Sequence, residues 1–186
     1  MVKTDWLRYY EPNDLPERFS SVVQSWDTAN KPTELADYSV CTTWGARGQR
    51  LYLLHVLRKR LDYPDLKRAV MEQARVFKPN AILIEDKANG PAIISELRQE
   101  ISGIVPVDPE GGKLARAQSV APLWEAGNVE LPDPQRFDVP WLEEYINNIC
   151  AFPKAAHDDD MDATSQALIY MRFRMNTGML EHIRRM

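Results

Sequence analysis

The sequence predicts an α/β domain built on one mixed sheet, and three observations carry that prediction. Strand-like apolar runs crowd the first third of the chain, and strands then alternate with segments of helical periodicity. One run, Ala81 to Ile84, is apolar at every position, the pattern of a strand covered on both faces. The chain has 186 residues, the size of a single compact domain.

Residues 1 to 20 mix charge, proline and aromatics (Trp6, Tyr9, Tyr10, Pro12, Pro16) without a period, and we expect an arm or linker there. Val22 and Val23 lead to Trp26 and Asp27 as a first strand, which the breakers Asn30, Lys31 and Pro32 end. Tyr38 to Trp44 and Leu51 to Leu57 follow as a hairpin with its turn at Ala46 and Arg47, giving three adjacent antiparallel strands. Between Tyr63 and Phe77, Leu66, Ala69, Val70, Gln73 and Phe77 recur at helical spacing, with Pro64 in the first turn. Ala81 to Ile84 is the expected central strand, ending in Glu85 and Asp86. Asn89, Gly90 and Pro91 open a helix with Ile93, Ile94 and Leu97 on one face, and Gly103 to Val107 is a further buried strand.

Gly111 and Gly112 precede a helix from Lys113 to Ala126, which Gly127 terminates. Asn128 to Leu131 is extended, Trp141 to Ile149 helical, and a last helix starts at Asp158 and reaches at least Phe173. We place the domain at 21–175, with a tail at 176–186. Trp6, Trp44, Trp124 and Trp141 are assigned to the core or an interface.

Hydrophobic residues make up 44% and charged residues 27%, with 8 glycines, which excludes collagen-like and disordered chains. No apolar run approaches the roughly 18–20 residues of a spanning helix, and Met1 to Pro12 is not a signal peptide. A cytoplasmic protein without a membrane partner is expected. Cys41 and Cys150 lack CxxC spacing, so we expect two buried, reduced thiols rather than a disulfide framework or zinc ribbon.

Net charge is -4, from 27 acids and 23 bases. That balance argues against a nucleic-acid binder of the basic kind, but its distribution does not. Six acids, Asp27, Glu85, Asp158, Asp159, Asp160 and Asp162, occupy three short segments; without these six, 21 acids face 23 bases. A near-neutral body with one acidic focus suits a metal-dependent enzyme acting on a polyanion.

A strand-end acid often only faces water, and an Asp cluster at a helix start often only caps it. Asp27 and Glu85, however, follow apolar residues destined for adjacent parts of one sheet. Carboxylates within about 4–6 Å repel one another unless a positive charge intervenes. Oxygen-only ligands, with no paired cysteines and 3 histidines in the chain, favour Mg²⁺ or Mn²⁺ over Zn²⁺. Two such ions about 3.5–4 Å apart would clamp the attacking and leaving oxygens of a phosphodiester. Asp159 and Asp162 are three apart and Asp158 and Asp162 four apart, so either pair shares a helix face. Asp159 is the preferred ligand of the cluster, with Asp158 or Asp162 as an outer or alternate one. His157 is either a water- or phosphate-positioning group or merely solvated.

These segments resemble the nuclease domain of tailed-bacteriophage large terminase subunits. The matching residues are Ser25-Trp26-Asp27-Thr28-Ala29 with Asp37-Tyr38-Ser39, Ile84 through Gly90, Lys113 through Arg116 and on to Gly127, and His157 through Ala163. The resemblance covers roughly 20–172 and implies a ribonuclease H-like fold. It implies Asp27, Glu85 and Asp159 as catalytic, metal-binding carboxylates, with Asp27 bridging two Mg²⁺ or Mn²⁺ ions and Asp162 and Asp158 as further candidate ligands. The Asp158-Asp159-Asp160 run is one acid richer than the family's usual pair, leaving the register of the third ligand open.

Family members carry an ATPase domain, but no GxxxxGK[ST] phosphate-binding loop occurs here; we expect a nuclease domain by itself, most simply monomeric, whose arm at 1–20 is the former interdomain linker. The implied function is low-specificity hydrolysis of double-stranded DNA as the cutting module of genome packaging in the host cytoplasm. An ATPase domain, a small terminase subunit and a portal are the implied partners. A junction resolvase or transposase-like nuclease, and a non-catalytic docking module of the packaging motor, are the alternatives. Lys87, Lys113 and Arg116 are candidate DNA contacts, and Gly111-Gly112 a candidate anion cradle. The basic end, Arg172, Arg174, Arg184 and Arg185, is a weaker one.

Overall fold

The computed structural model describes residues 2–28, 38–86, 90–155 and 157–184, with side-chain surroundings to residue 174. Its elements along the chain are β1 (Arg8–Tyr10), β2 (Ser21–Asp27), β3 (Ser39–Arg47), β4 (Arg50–Lys59), α1 (Tyr63–Phe77), β5 (Ala81–Glu85), α2 (Gly90–Leu97), β6 (Ile104–Val107), α3 (Lys113–Glu125), β7 (Val129–Pro132), α4 (Leu142–Ala151) and α5 (Asp159–Arg184). The strands form one sheet in the order β1-β7-β4-β3-β2-β5-β6. β2 and β4 each pair antiparallel with β3 between them, while β5 and β6 extend the sheet in parallel from β2. This is the mixed α/β architecture the sequence predicts.

Strand alternation sorts side chains into two cores. Val23, Ala81 and Leu83 face one core, filled by α3, α4 and α5 through Val120, Trp124, Tyr145, Ala167 and Leu168. Trp26, Ile82 and Ile84 face the other, filled by α1 and α2 through Leu66, Val70, Ile93 and Leu97. Ala81 to Ile84 of β5 is therefore apolar throughout because helices cover both its faces. It does not occupy the middle of the sheet, as expected, but lies second from the edge; β3 is the middle strand. Full burial of each of Ile82, Leu83 and Ile84 contributes about 1.5–3 kcal/mol.

The segment expected as an arm contributes to the sheet. β1 pairs in parallel with β7 at the sheet edge, and Val2 and Leu7 join the larger core. Tyr10 is buried, donates its hydroxyl to the Leu53 carbonyl at 2.7 Å, and packs edge-on against Tyr52 and Phe137. A three-residue strand is too short to show periodicity; Tyr10 serves packing, whereas Tyr9 is exposed. At the opposite edge, β6 carries Pro106.

The hairpin turn lies two residues later than expected. Arg47 pairs with Arg50, and Gly48, with φ +59, opens the two-residue loop, a conformation that favours glycine. Gly45 instead lies inside β3, where the Phe19 ring would stand 2.6 Å from a Cβ. Cys41 is buried as expected, whereas Cys150 is only half-buried; both are free. Trp44 and Trp124 are fully buried. No described helix is long and apolar enough to cross a membrane.

α2 starts hard against the end of β5. A Cβ on Gly90 would fall 1.8 Å from the Glu85 carbonyl oxygen, which only backbone movement could relieve. Gly90→Ala is expected to cost about 1–3 kcal/mol, read as a lower urea midpoint; an unchanged midpoint would show that the close approach is not needed.

Candidate functional site

Parallel pairing of β2 with β5 sets Trp26 opposite Ile84, so Asp27 and Glu85, one residue further, finish side by side. Both have the parity of Val23 and Leu83, the face on which α5 packs. Gln166 of α5 ties the helix to that face by donating to Ser25 Oγ at 2.9 Å. The N-terminus of α5 thereby arrives over the ends of two strands and brings its acids with it.

The partly buried Asp27 records the crowding. Burial is the largest influence and pushes its carboxyl well above the ordinary 3.8; Asp162, Asp159 and Glu85 push the same way, and Lys113 opposes them. Burial, then Asp158, likewise raises Asp159, against Lys113, Arg58 and His157. Thr28, next to Asp27, is buried with its Oγ1 unpartnered among the described residues.

The cations of the site are committed to the other aspartates. Lys113 Nζ lies 2.8 Å from Asp158 Oδ2 and 2.7 Å from Asp162 Oδ2. Burial opposes the Lys113 charge, but these two hydrogen bonds outweigh it and raise the pKa. Arg116, one turn along α3, donates to Asp162 Oδ1 at 2.7 Å and to the Gly111 carbonyl at 3.1 Å. Asp162 is 5% exposed and Arg116 11%. Asp160 belongs elsewhere: fully buried, it pairs with Arg58 of β4 and accepts from Asn148 of α4 at 2.7 Å. The four aspartates between 158 and 162 thus divide into site-facing Asp158, Asp159 and Asp162 and the buried structural Asp160.

Among the described residues, no three His, Cys, Asp or Glu side chains stand in a metal-holding arrangement; Asp158 and Asp162 are drawn onto Lys113 instead. The donor set itself, carboxylates whose mutual repulsion a divalent charge would relieve, fits a hard cation of the Mg²⁺ class.

His157 meets the Tyr38 ring edge-on at 5.2 Å, and Arg58 and Arg60 lie over the same ring at 5.3 and 4.5 Å. Sequence reasoning missed Arg58 because a charge at the end of an apolar strand resembles an ordinary strand terminus. Lys87 and Arg185 lie outside the described residues, as do the surroundings of the Arg184 side chain. Arg172 donates to the Ser119 carbonyl at 2.7 Å and so joins α5 to α3.

Residues 24–171 match the family described as the terminase RNaseH-like domain. None of the curated protein sequences matches the chain. Among solved structures, the large terminase nuclease from thermophilic phage G20c with bound cobalt superposes with a TM-score of 0.64 at 16% identity, covering 88% of this chain and 93% of that one. The same nuclease has been solved with bound zinc and with bound magnesium. The Thermus phage P74-26 large terminase nuclease domain gives 0.61 at 14% identity, over 87% and 89%. A large terminase from another thermophilic bacteriophage gives 0.67 at 13% identity; it covers 89% of this chain, which spans 42% of that longer one. At these identities the structures speak for a shared fold.

Two outcomes follow from the site's charges. A carboxyl whose folded-state pKa is raised destabilises the fold progressively as pH rises from 3.8 through that pKa, because the folded state must surrender a proton it favours. In EDTA at pH 7, Asp27→Asn is expected to raise the melting temperature by about 2–4 °C or more, a gain that shrinks toward pH 4; a lower melting temperature would refute the repulsion. Arg58→Met strands the Asp160 charge and is expected to cost about 3–5 kcal/mol, recovered in large part by adding Asp160→Asn, as chemical denaturation would measure.

Proposed function

Because the chain belongs to the terminase RNaseH-like domain family, we propose that it is a metal-dependent endonuclease that hydrolyses double-stranded DNA with little sequence specificity, the cutting module of a phage large terminase. One observation carries this: the parallel register of β2 and β5 sets Asp27 beside Glu85, with the α5 acids Asp159 and Asp162 near enough to act on Asp27 in the same direction. An acidic cluster that only capped a helix would not be aimed at a strand-end acid set back among its like.

In this assignment Asp27, Glu85 and Asp159 would hold the divalent cations, with Asp162 and Asp158 as outer or alternate ligands. Bound there, Mg²⁺ or Mn²⁺ would supply Lewis acidity for hydrolysis, in which the oxygen of water bonds to phosphorus, its proton passes to solvent and the bond to the leaving oxygen breaks. Arg116 orients Asp162, since its guanidinium is tied to that carboxylate and to Gly111. Lys113, 49% exposed at the rim, is the described cation best placed to reach a DNA phosphate. The large terminase it resembles is a longer chain, solved also with ATP-gamma-S and with ADP, which supports an ATPase domain as partner; a small subunit and a portal complete the proposed packaging assembly in the host cytoplasm.

Incubated with supercoiled plasmid, the protein is expected to nick and linearise DNA in Mg²⁺ or Mn²⁺ and not in EDTA. Asp27→Asn, Glu85→Gln and Asp159→Asn should each lose more than the roughly 10–100-fold that removal of an outer-shell partner costs, while remaining folded. Activity retained by Asp27→Asn would sink its assignment, and preferential cutting of four-way junctions over linear duplex would move the protein to the resolvases. Mn²⁺ at about 100 times its Kd should stabilise the fold by about 2.7 kcal/mol, read as a rise in melting temperature.

A further inference from the structure

One side chain holds an unusual share of the acidic site. The Lys113 ammonium touches Asp158 and Asp162 directly, at 2.8 and 2.7 Å, and its charge also counters Asp27 and Asp159. Four of the clustered acids are thus served by one lysine. It stands at the first position of α3, after Gly112, on a long stem whose side chain is 49% exposed.

Arg116 differs in kind. Its guanidinium is nearly buried, and its fork is shared between Asp162 and the Gly111 carbonyl, so it stays as the permanent support of Asp162. Lysine is a compact charge on a flexible stem, free to turn where a rigid bidentate group is not. If Lys113 turned outward, Asp162 would keep a partner, while the acids around Asp27 would lose their principal neutralising charge.

We infer that Lys113 is an internal counter-ion, which bridges Asp158 and Asp162 in the metal-free protein and is exchanged for the divalent cation when one binds. This rests on the metal-dependent reading above and adds a positioning role. The lysine keeps the acids gathered before loading, at the cost of competing with the cation for them. Once displaced, its ammonium lies at the rim, where a phosphate would find it.

The test compares the unchanged protein with Lys113→Gln and Lys113→Arg, by calorimetric titration with Mn²⁺ and by melting in EDTA and in saturating Mn²⁺. At an effective dielectric of about 20, giving up an ion pair about 4 Å long to admit the cation costs more than one decade in affinity. Lys113→Gln is therefore expected to bind Mn²⁺ at least about tenfold more tightly, to melt lower in EDTA, and to gain more on metal binding; Lys113→Arg, which keeps a charge that is harder to displace, should bind Mn²⁺ no more tightly than the unchanged protein. A merely structural tie between α3 and α5 predicts equal melting losses in both buffers with an unchanged Kd, and that result, or weaker Mn²⁺ binding, overturns the inference. Independently of any variant, reductive methylation of the unchanged protein followed by peptide mass spectrometry should modify Lys113 faster in Mg²⁺ than in EDTA; equal or slower modification overturns it. Failure of the unchanged protein to bind Mn²⁺ at all overturns the metal-dependent reading itself, and this inference with it.

Discussion

Parallel hydrogen bonding between β2 and β5 forces two carboxylates to the same place. The backbone ladder that sets Trp26 beside Ile84 leaves Asp27 and Glu85 no choice of neighbour, and the alternation that buries Val23 and Leu83 turns both acids toward α5. Like charges gathered by a sheet register cannot drift apart as surface side chains do. The remaining features of that end of the molecule are responses to this constraint: the raised pKa of Asp27, the lysine reaching in from α3, and the arginine fixing Asp162.

α5 resolves its own excess of acid by geometry. Successive helical residues point about 100° apart, so one run of aspartates must serve two faces. Asp160 turns into the layer between β4 and α4, where Arg58 and Asn148 meet it, and its neighbours turn toward the strand ends. The buried pair does not by itself argue for stability, since desolvation consumes much of the attraction. What it fixes is the rotation of the helix, and with it which aspartates face Asp27.

Much of this was legible in the sequence, for reasons that can be named. Long periodic segments such as Tyr63–Phe77, and an uninterrupted apolar strand before Glu85, follow from burial alone. The approach of Asp27 to Glu85 could be anticipated from two strands of matched character. The place of β5 in the strand order could not, because coverage on both faces is the same one strand from the edge as in the middle. β1 was illegible because its three residues are defined by their partner β7 rather than by any pattern of their own. The roles of Lys113 and Arg58 depend on contacts across 45 or more sequence positions and across 102; no local spacing encodes them.

The two rims of the sheet bear on how the molecule behaves in company. β1 covers the flank of β7 with a strand of only three residues, and β6, four residues long, breaks its outward row of donors with Pro106. Neither rim offers a neighbouring copy a long, regular template to extend. Among the described residues, the seven-stranded sheet thus ends in two short rims that hinder the edge-to-edge addition of its own kind.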